Sequence, residues 1–436
     1  MSAEDTAAPA RGTDKAPGGA APSDGSPPSP AGGSAPRGLF ARWRALEGTS
    51  DHPMYDLIFW IVRLWMGRRH RVQIDDALLR EARAPFILLS DHESFYDFYY
   101  LSLLRWPKRP SYLVNEYWCT RPVLKTMARK AGILSKKLFT RDMSTAVGIL
   151  RTLRRGYPVV IFPEGRLSPD GRSNPIVEGG AAFYKRLKVD LVLARIDGAY
   201  FADPKWRRRS YRSTVRVRVV RVLRREELAA MPDGELDALI ASTLSHDASE
   251  ALAERYPQRD RAEGLEGILY RCADCGALYS TRGVGCELVC SACGARHRLD
   301  ERYRFRDGPA TIGAWYDHIR ALEEPELDRF SLQARVRVKI FGADGGPVRR
   351  EEGVCALTPE GFSYRSERGG FSVPMEDLPA LAFSCNEEFE LYHEGELHYF
   401  YPVEHPQQCA RWALLVDMCA ARREDRPRRR GGTPHG

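Results

Sequence analysis

Two short, wholly apolar runs constrain this chain more than anything else in its 436 residues. The first, Pro85-Phe86-Ile87-Leu88-Leu89, stops at Ser90-Asp91, and the second, Tyr157-Pro158-Val159-Val160-Ile161-Phe162, stops at Pro163-Glu164-Gly165. Runs this short are the length of strands, and having no polar side to offer water they predict strands covered on both faces. Such strands belong to α/β folds, in which ligands collect just outside the carboxyl ends of the strands. The residues that follow each run are therefore where chemistry is expected.

After the first run comes His92-Glu93-Ser94-Phe95-Tyr96-Asp97. A carboxylate one turn beyond a histidine can fix the imidazole's tautomer and raise its basicity. The free ring nitrogen can then take a proton from a hydroxyl. After the second run, Gly165 permits a tight turn or a close backbone approach, while Glu164 and Arg166 supply an acceptor and a planar cation. Alone, the first block reads as a polar loop and the second as a turn with a surface ion pair; together, in this order, they are more specific.

The two blocks resemble those of the glycerolipid acyltransferases typified by 1-acylglycerol-3-phosphate acyltransferase, which carry His-x4-Asp and, downstream, Phe-Pro-Glu-Gly. His92 and Asp97 match the first block; Phe162, Pro163, Glu164 and Gly165 match the second, with Arg166 next. The stretch from Gly132 to Arg141 resembles the family's intervening block. Residues 189–198 stand where a fourth block falls, lacking its proline and carrying Arg195 and Asp197 instead. Asp91 replaces the asparagine that many members place before the histidine. The resemblance covers residues 55–225.

It implies an O-acyltransferase that moves a fatty acyl group from acyl-CoA or acyl carrier protein to a hydroxyl of a lysophospholipid such as 1-acylglycerol 3-phosphate. His92 would be the general base, oriented by Asp97. Glu164, Gly165, Arg166 and Arg141 would bind the acceptor, the two arginines through its phosphate. Ser94 lacks the Gly-x-Ser-x-Gly elbow of a nucleophile. The alternatives are the same fold acylating glycerol 3-phosphate, a sugar or another lipid, and a non-catalytic protein binding membrane or nucleic acid.

Cys272-x2-Cys275 and Cys290-x2-Cys293, each followed by glycine, predict a structural four-cysteine zinc ribbon over residues 268–303. Disulfides would require an oxidising compartment, for which no secretory signal speaks. Cys286 and His297 lie near enough in sequence to substitute as ligands. Residues 317–328 have helical character. Seven short alternating strands between 334 and 401, then a helix over 406–421, resemble in layout a pleckstrin-homology-like domain (330–421), a class of fold that often binds lipid headgroups or peptides.

The expected architecture is thus an α/β acyltransferase domain (39–255), its mixed sheet flanked by helices, followed by the zinc ribbon and a small β-barrel closed by a C-terminal helix. Residues 1–38, rich in Ala, Pro, Gly and Ser, predict a disordered tail, and 422–436 a basic one. No apolar run approaches the ~20 residues of a membrane span. Leu57, Ile58, Ile61, Leu64 and Trp65 follow helical spacing before a basic Gly67-Arg68-Arg69, which suits a helix at the lipid interface or one capping the sheet; the family resemblance, whose members commonly reach the bilayer with such a helix, implies the interfacial one. The net charge of +8 and pI of 8.9 favour acidic partners such as anionic headgroups. Nucleic acid is disfavoured, because no helix-turn-helix, RNP or OB signature accompanies the charge. The alternating arginines of 214–222 predict an edge strand. The chain is expected to be peripheral at the cytoplasmic membrane face and not secreted.

Overall fold

The computed structural model describes residues 39–115, 122–137, 143–176, 179–252, 254–342, 347–378 and 380–430. The tail expected over residues 1–38, Arg141, and residues 431–436 of the basic tail lie outside these.

A seven-stranded sheet carries both apolar runs. Its strands are β1 (Arg71–Asp75), β2 (Phe86–Ser90), β3 (Ser111–Asn115), β4 (Leu134–Lys136), β5 (Val159–Ile161), β6 (Asp190–Asp197) and β7 (Thr214–Leu223). They lie in the order β1-β7-β6-β2-β5-β3-β4, parallel throughout except for β6 against β7, so the sheet is mixed.

Strand alternation sorts the side chains to two separate cores. Phe86, Leu88, Val160, Val192 and Ile196 pack with Tyr55, Tyr99 and Tyr100 on one face. Ile87, Leu89, Val159, Leu191 and Leu193 pack with Ile149, Leu153, Leu236 and Ile240 on the other. Both faces being dry explains why the runs contain no polar residue; each such side chain contributes roughly 1.5–3 kcal/mol by its burial.

The helix Pro53–Met66 begins with Pro53 at its first turn, where the imidazole of His52 accepts from the Met54 backbone N–H at 3.1 Å. It packs Tyr55, Ile58, Phe59, Val62 and Met66 inward. Leu57, Trp60, Ile61, Leu64 and Trp65 remain exposed, Trp60 by 61%. No helix among the described residues is long and apolar enough to cross a membrane.

β7 is not the edge strand its arginines suggested. It lies inside the sheet, between β1 and β6. β1 covers its outer side, and Arg71-Val72-Gln73-Ile74-Asp75 has too little apolar content to announce itself as a strand. The arginines are taken up locally: Arg216 donates to Gln73, Arg218 pairs with Asp197 and Arg221 with Glu227.

Beyond this unit, β8 (Thr281–Val284), β9 (Glu287–Cys290) and β10 (Arg296–Arg298) form a three-stranded antiparallel sheet. The next helix spans Ile312–Glu323, starting five residues before the helical stretch read from sequence. Thr311 caps it, its hydroxyl accepting from the Ala314 N–H at 3.0 Å.

A second seven-stranded sheet follows, comprising β11 (Leu332–Phe341), β12 (Arg349–Thr358), β13 (Gly361–Ser366), β14 (Gly369–Pro374), β15 (Ala382–Phe383), β16 (Phe389–His393) and β17 (Glu396–Pro402). Its order, β14-β13-β12-β11-β17-β16-β15, leaves β14 and β15 at opposite edges, with no ladder joining them among the described residues. The sheet is therefore an open half-barrel and not the closed barrel expected. The terminal helix, Gln408–Arg430, covers it with Trp412 stacked on Phe389 at 5.2 Å, and runs past residue 421 into the expected tail.

One apolar cluster joins these parts. Tyr200, Phe201 and Trp206, just after β6, pack into the same core as Tyr303, Trp315 and Trp412.

Candidate active site

β2 and β5 are adjacent and parallel, with Leu89 opposite Ile161, so the polar segments that follow them leave the sheet at the same edge. This register alone brings two segments some 70 residues apart in sequence into contact. His92 Nδ1 lies 2.9 Å from Asp97 Oδ2, and its ring stacks on Phe162 with centroids 4.2 Å apart. Asp97 opens the helix Asp97–Ser102 and is fully buried. Its Oδ2 also accepts from the Ser94 N–H at 2.9 Å, which holds the loop in a tight turn around the carboxylate. Burial pushes the Asp97 carboxyl up, and the His92 hydrogen bond pulls it back down. With Asp97 ionised, Nδ1 must carry the proton and Nε2 the lone pair. The His92 side chain keeps 20% of its surface open to solvent, so the imidazole is reachable while its partner is not.

The turn after β5 serves this loop. Gly165 sits at φ +71 and its N–H closes on Phe162 O at 3.1 Å, a conformation that favours glycine. Glu164 points inward and is 3% exposed. One oxygen accepts from the backbone N–H of His92 at 3.1 Å; the other accepts from the Asn174 backbone and side chain at 2.7 and 3.0 Å. Burial raises the Glu164 carboxyl, against the hydrogen bonds from Asn174 that lower it. Glu164 thus clamps the histidine's backbone, and it reaches Arg166 only through Asn174, whose Oδ1 accepts from Arg166 Nε at 3.1 Å.

Arg166 is already engaged. Its guanidinium grips Asp417, from the terminal helix, through two bonds of 3.1 and 2.5 Å. Neither Asn174 nor Asp417 was anticipated from sequence: Asn174 sits in an unpatterned loop, and Asp417 lies 251 positions from its partner. Ser94 is held by neighbours, accepting from the Tyr96 N–H at 3.1 Å and donating to Asp203 at 3.4 Å. The fourth block maps to β6 and Gly198, where Arg195 and Arg218 both pair with Asp197. Asp91, Glu93 and Asp97 form a buried acidic floor beneath His92, and His246 reaches it from the far side.

A second cluster lies apart from this one. Cys272, Cys275, Cys290 and Cys293 bring their sulfurs within 4.8 Å of one another. Cys272 to Cys293 and Cys275 to Cys290 are each 3.8 Å, far too long for disulfides. Four thiolates around zinc at about 2.3 Å would stand about 3.8 Å apart, so the donor set and spacing fit that ion. Gly276 and Gly294, at φ +69 and +79, donate back to the Cys272 and Cys290 carbonyls and complete two matching knuckles. Cys286 and His297 take no part: Cys286 bonds to Gln258 O, and His297 lies between Asp274 and Asp307 O.

Residues 70–197, which contain both blocks and β1 through β6, match the protein-family model described as Acyltransferase. The segment is an acyltransferase domain, and the protein is an acyltransferase. Among solved structures, the 1-acyl-sn-glycerophosphate (LPA) acyltransferase PlsC from Thermotoga maritima is similar at 16% identity and a TM-score of 0.36, covering 47% of this chain and 77% of that one.

Proposed function

We propose that the protein transfers a fatty acyl group from an acyl-CoA or acyl carrier protein thioester to a hydroxyl of a lysophospholipid, with 1-acylglycerol 3-phosphate as the first candidate. The observation that carries this reading is the His92–Asp97 pair: a buried carboxylate 2.9 Å from one ring nitrogen of a histidine still open to solvent. His92 Nε2 removes the acceptor hydroxyl's proton as the oxygen attacks the thioester carbonyl. The tetrahedral intermediate then collapses, the carbon–sulfur bond breaks, and the imidazolium returns the proton to the departing thiolate. Asp97 holds the ring and stabilises its cationic form, so no acyl-enzyme is needed. Gly165 and the Glu164 clamp fix the position of the loop, and Arg166 and Arg141 are the proposed partners of the acceptor's phosphate.

The test is His92→Ala. Thiol release from an acyl thioester in the presence of lysophosphatidate should be abolished while the melting temperature stays near wild type. Near-wild-type turnover would end the reading.

The exposed row Leu57, Trp60, Ile61, Leu64 and Trp65 supports a peripheral position on a membrane, proposed to be its cytoplasmic face. Arg69, 4.2 Å from the Trp65 ring, sets a cation at the rim of that row. The cysteine spacing supports a structural zinc that would hold the three-stranded sheet together. The half-barrel sheet and its covering helix are proposed as the pleckstrin-homology-like unit.

One observation favours a second reading of the acceptor. Asp417 occupies Arg166 in the way a phosphate would, so the enzyme could acylate an alcohol without a phosphate, such as a sugar or a neutral lipid.

A further inference from the structure

Behind the catalytic loop, two side chains of the loop itself and one from far along the chain turn donor atoms toward one another. Asp91 and Glu93 flank His92 in sequence and point to the opposite side of the loop. His246 follows the helix Asp233–Leu244. One donor atom from each lies within 4.8 Å of the other two, and all three side chains are at most 1% exposed.

The hydrogen bonds around them define what this gap requires. Asp91 spends Oδ1 on the Ile196 N–H at 2.9 Å and the Ser90 hydroxyl at 3.0 Å, and its Oδ2 has no partner. Glu93 spends Oε2 on the N–H groups of Ala199 and Tyr200, at 2.8 and 3.0 Å, and its Oε1 has no partner. His246 Nδ1 lies 3.4 Å from Leu244 O, a carbonyl that can only accept, so Nδ1 carries a proton. Ser173 Oγ, 2.9 Å away, is its second acceptor. That leaves a lone pair on His246 Nε2, which also has no partner and faces Glu93 Oε1 at 3.8 Å. The two free carboxylate oxygens thus face the His246 ring, Asp91 Oδ2 at 3.6 Å from Nδ1 and Glu93 Oε1 at 3.8 Å from Nε2, and each side chain is braced from behind by backbone or hydroxyl groups. Leaving a single buried polar atom unpaired costs about 1–3 kcal/mol, and here there are three together. Bracing of this kind is what metal ligands receive from the groups behind them.

We propose that Asp91 Oδ2, Glu93 Oε1 and His246 Nε2 bind a first-row divalent cation, with zinc favoured by the nitrogen–oxygen donor set and manganese or iron as competitors. Ligands at about 2.0–2.1 Å around a tetrahedral ion stand about 3.3 Å apart, so the 3.8 Å between Glu93 and His246 needs a contraction of only about half an ångström. One imidazole among the donors disfavours calcium and magnesium, which take oxygen. The ion would touch no substrate. It would pin the backbone on both sides of His92 to β6, the segment after it and His246, acting as a positioning element for the base.

The full-length protein, purified without chelator and incubated in turn with zinc, manganese and ferrous ions, provides the test. Diffraction data at the absorption edge of each metal should show an anomalous peak among Asp91, Glu93 and His246, separate from any peak at the four cysteines. Elemental analysis of Glu93→Gln should then show loss of about one metal equivalent per chain, with the cysteine-bound ion retained. A wild-type map with no peak at the three residues for any of the metals overturns the proposal, whatever the variant does. So does an unchanged metal content in folded Glu93→Gln, the result expected if a shared proton fills the gap.

Discussion

Asp97→Asn separates the role of the charge from the role of the shape. The Asp97 Oδ2 position receives two N–H donors, from His92 Nδ1 and Ser94, so the substituted amide must place its oxygen there. The other orientation would set an NH2 group against both donors. The histidine therefore keeps its tautomer and a neutral hydrogen bond, and loses only the negative charge opposite its cationic form. At 2.9 Å and an effective dielectric constant near 20, that charge is worth about 5–6 kcal/mol to the imidazolium. The neutral hydrogen bond that remains restores about 1 kcal/mol of it. The net loss corresponds to a kcat lower by roughly 10^3 to 10^4, with the KM for both substrates little changed. Stability should barely fall, because burial already raises the Asp97 carboxyl and so penalises its ionised form. The assay is continuous detection of free thiol from an acyl thioester at saturating lysophosphatidate, paired with thermal unfolding of the same preparation. A folded Asp97→Asn enzyme within tenfold of wild-type kcat would refute the assignment of Asp97 as the charge behind the base.

Three further outcomes follow from particular contacts. Asp417→Asn should release Arg166 and lower the KM for a phosphorylated acceptor roughly threefold to tenfold, since about 1 kcal/mol of charge-assisted hydrogen bonding becomes available, while Arg166→Ala should raise it. If steady-state kinetics show both variants unchanged for lysophosphatidate, the non-phosphorylated acceptor becomes the better reading. Trp60→Asp combined with Ile61→Asp alters only exposed positions, so the melting temperature should hold while association with anionic phospholipid vesicles in a sedimentation assay drops at least about tenfold; full retention of binding would remove that helix from the membrane contact. Burial pushes the Glu388 carboxyl up to about 7, opposed by a hydrogen bond from Ser384. The folded chain therefore holds a proton that the unfolded chain has lost, and wild-type stability should fall as pH rises from about 4.5 to 7, by up to about 3 kcal/mol. Glu388→Gln should flatten that slope in urea titrations at pH 5 and 7.5, and parallel curves for the two proteins would show that the carboxyl titrates elsewhere.

The sequence made some of this legible and hid the rest for identifiable reasons. Phe86–Leu89 and Val159–Phe162 could be read as buried strands because two dry faces remove every polar residue, and the residues after them announced the loop and the turn. Period-two alternation likewise exposed the seven strands of the second sheet. β1 could not be read, since Val72 and Ile74 are its only apolar residues, and without it β7 looked like an edge. The closure of the second sheet was also beyond reach, because alternation fixes which face is buried and says nothing about which edges pair. Within the site, His92, Asp97 and Gly165 came from local motif geometry. Asn174, Asp417 and His246 did not, because each is an ordinary polar residue whose meaning depends on a partner between 8 and 251 positions away.

Those long-range partners bear on what the appended modules do for the catalytic unit. Arg166 is held by Asp417 on the terminal helix, Arg172 by Asp317 on the helix Ile312–Glu323, and Asn115 donates to Glu390 on β16. All three anchors on the catalytic side lie at the end of a sheet strand or in the segment after β5 that carries the Glu164 clamp. Behind them, Tyr200, Phe201 and Trp206 bury into the same apolar cluster as Trp315 and Trp412. A module tethered by a flexible linker would leave the catalytic loop indifferent to its loss. Here its removal would uncover that cluster, strip Arg166 of Asp417 and leave Arg172 with Asp170 alone. The C-terminal sheet and helix are thus part of the wall behind Arg166 and the Glu164 turn, and changes in them should alter catalysis without touching His92.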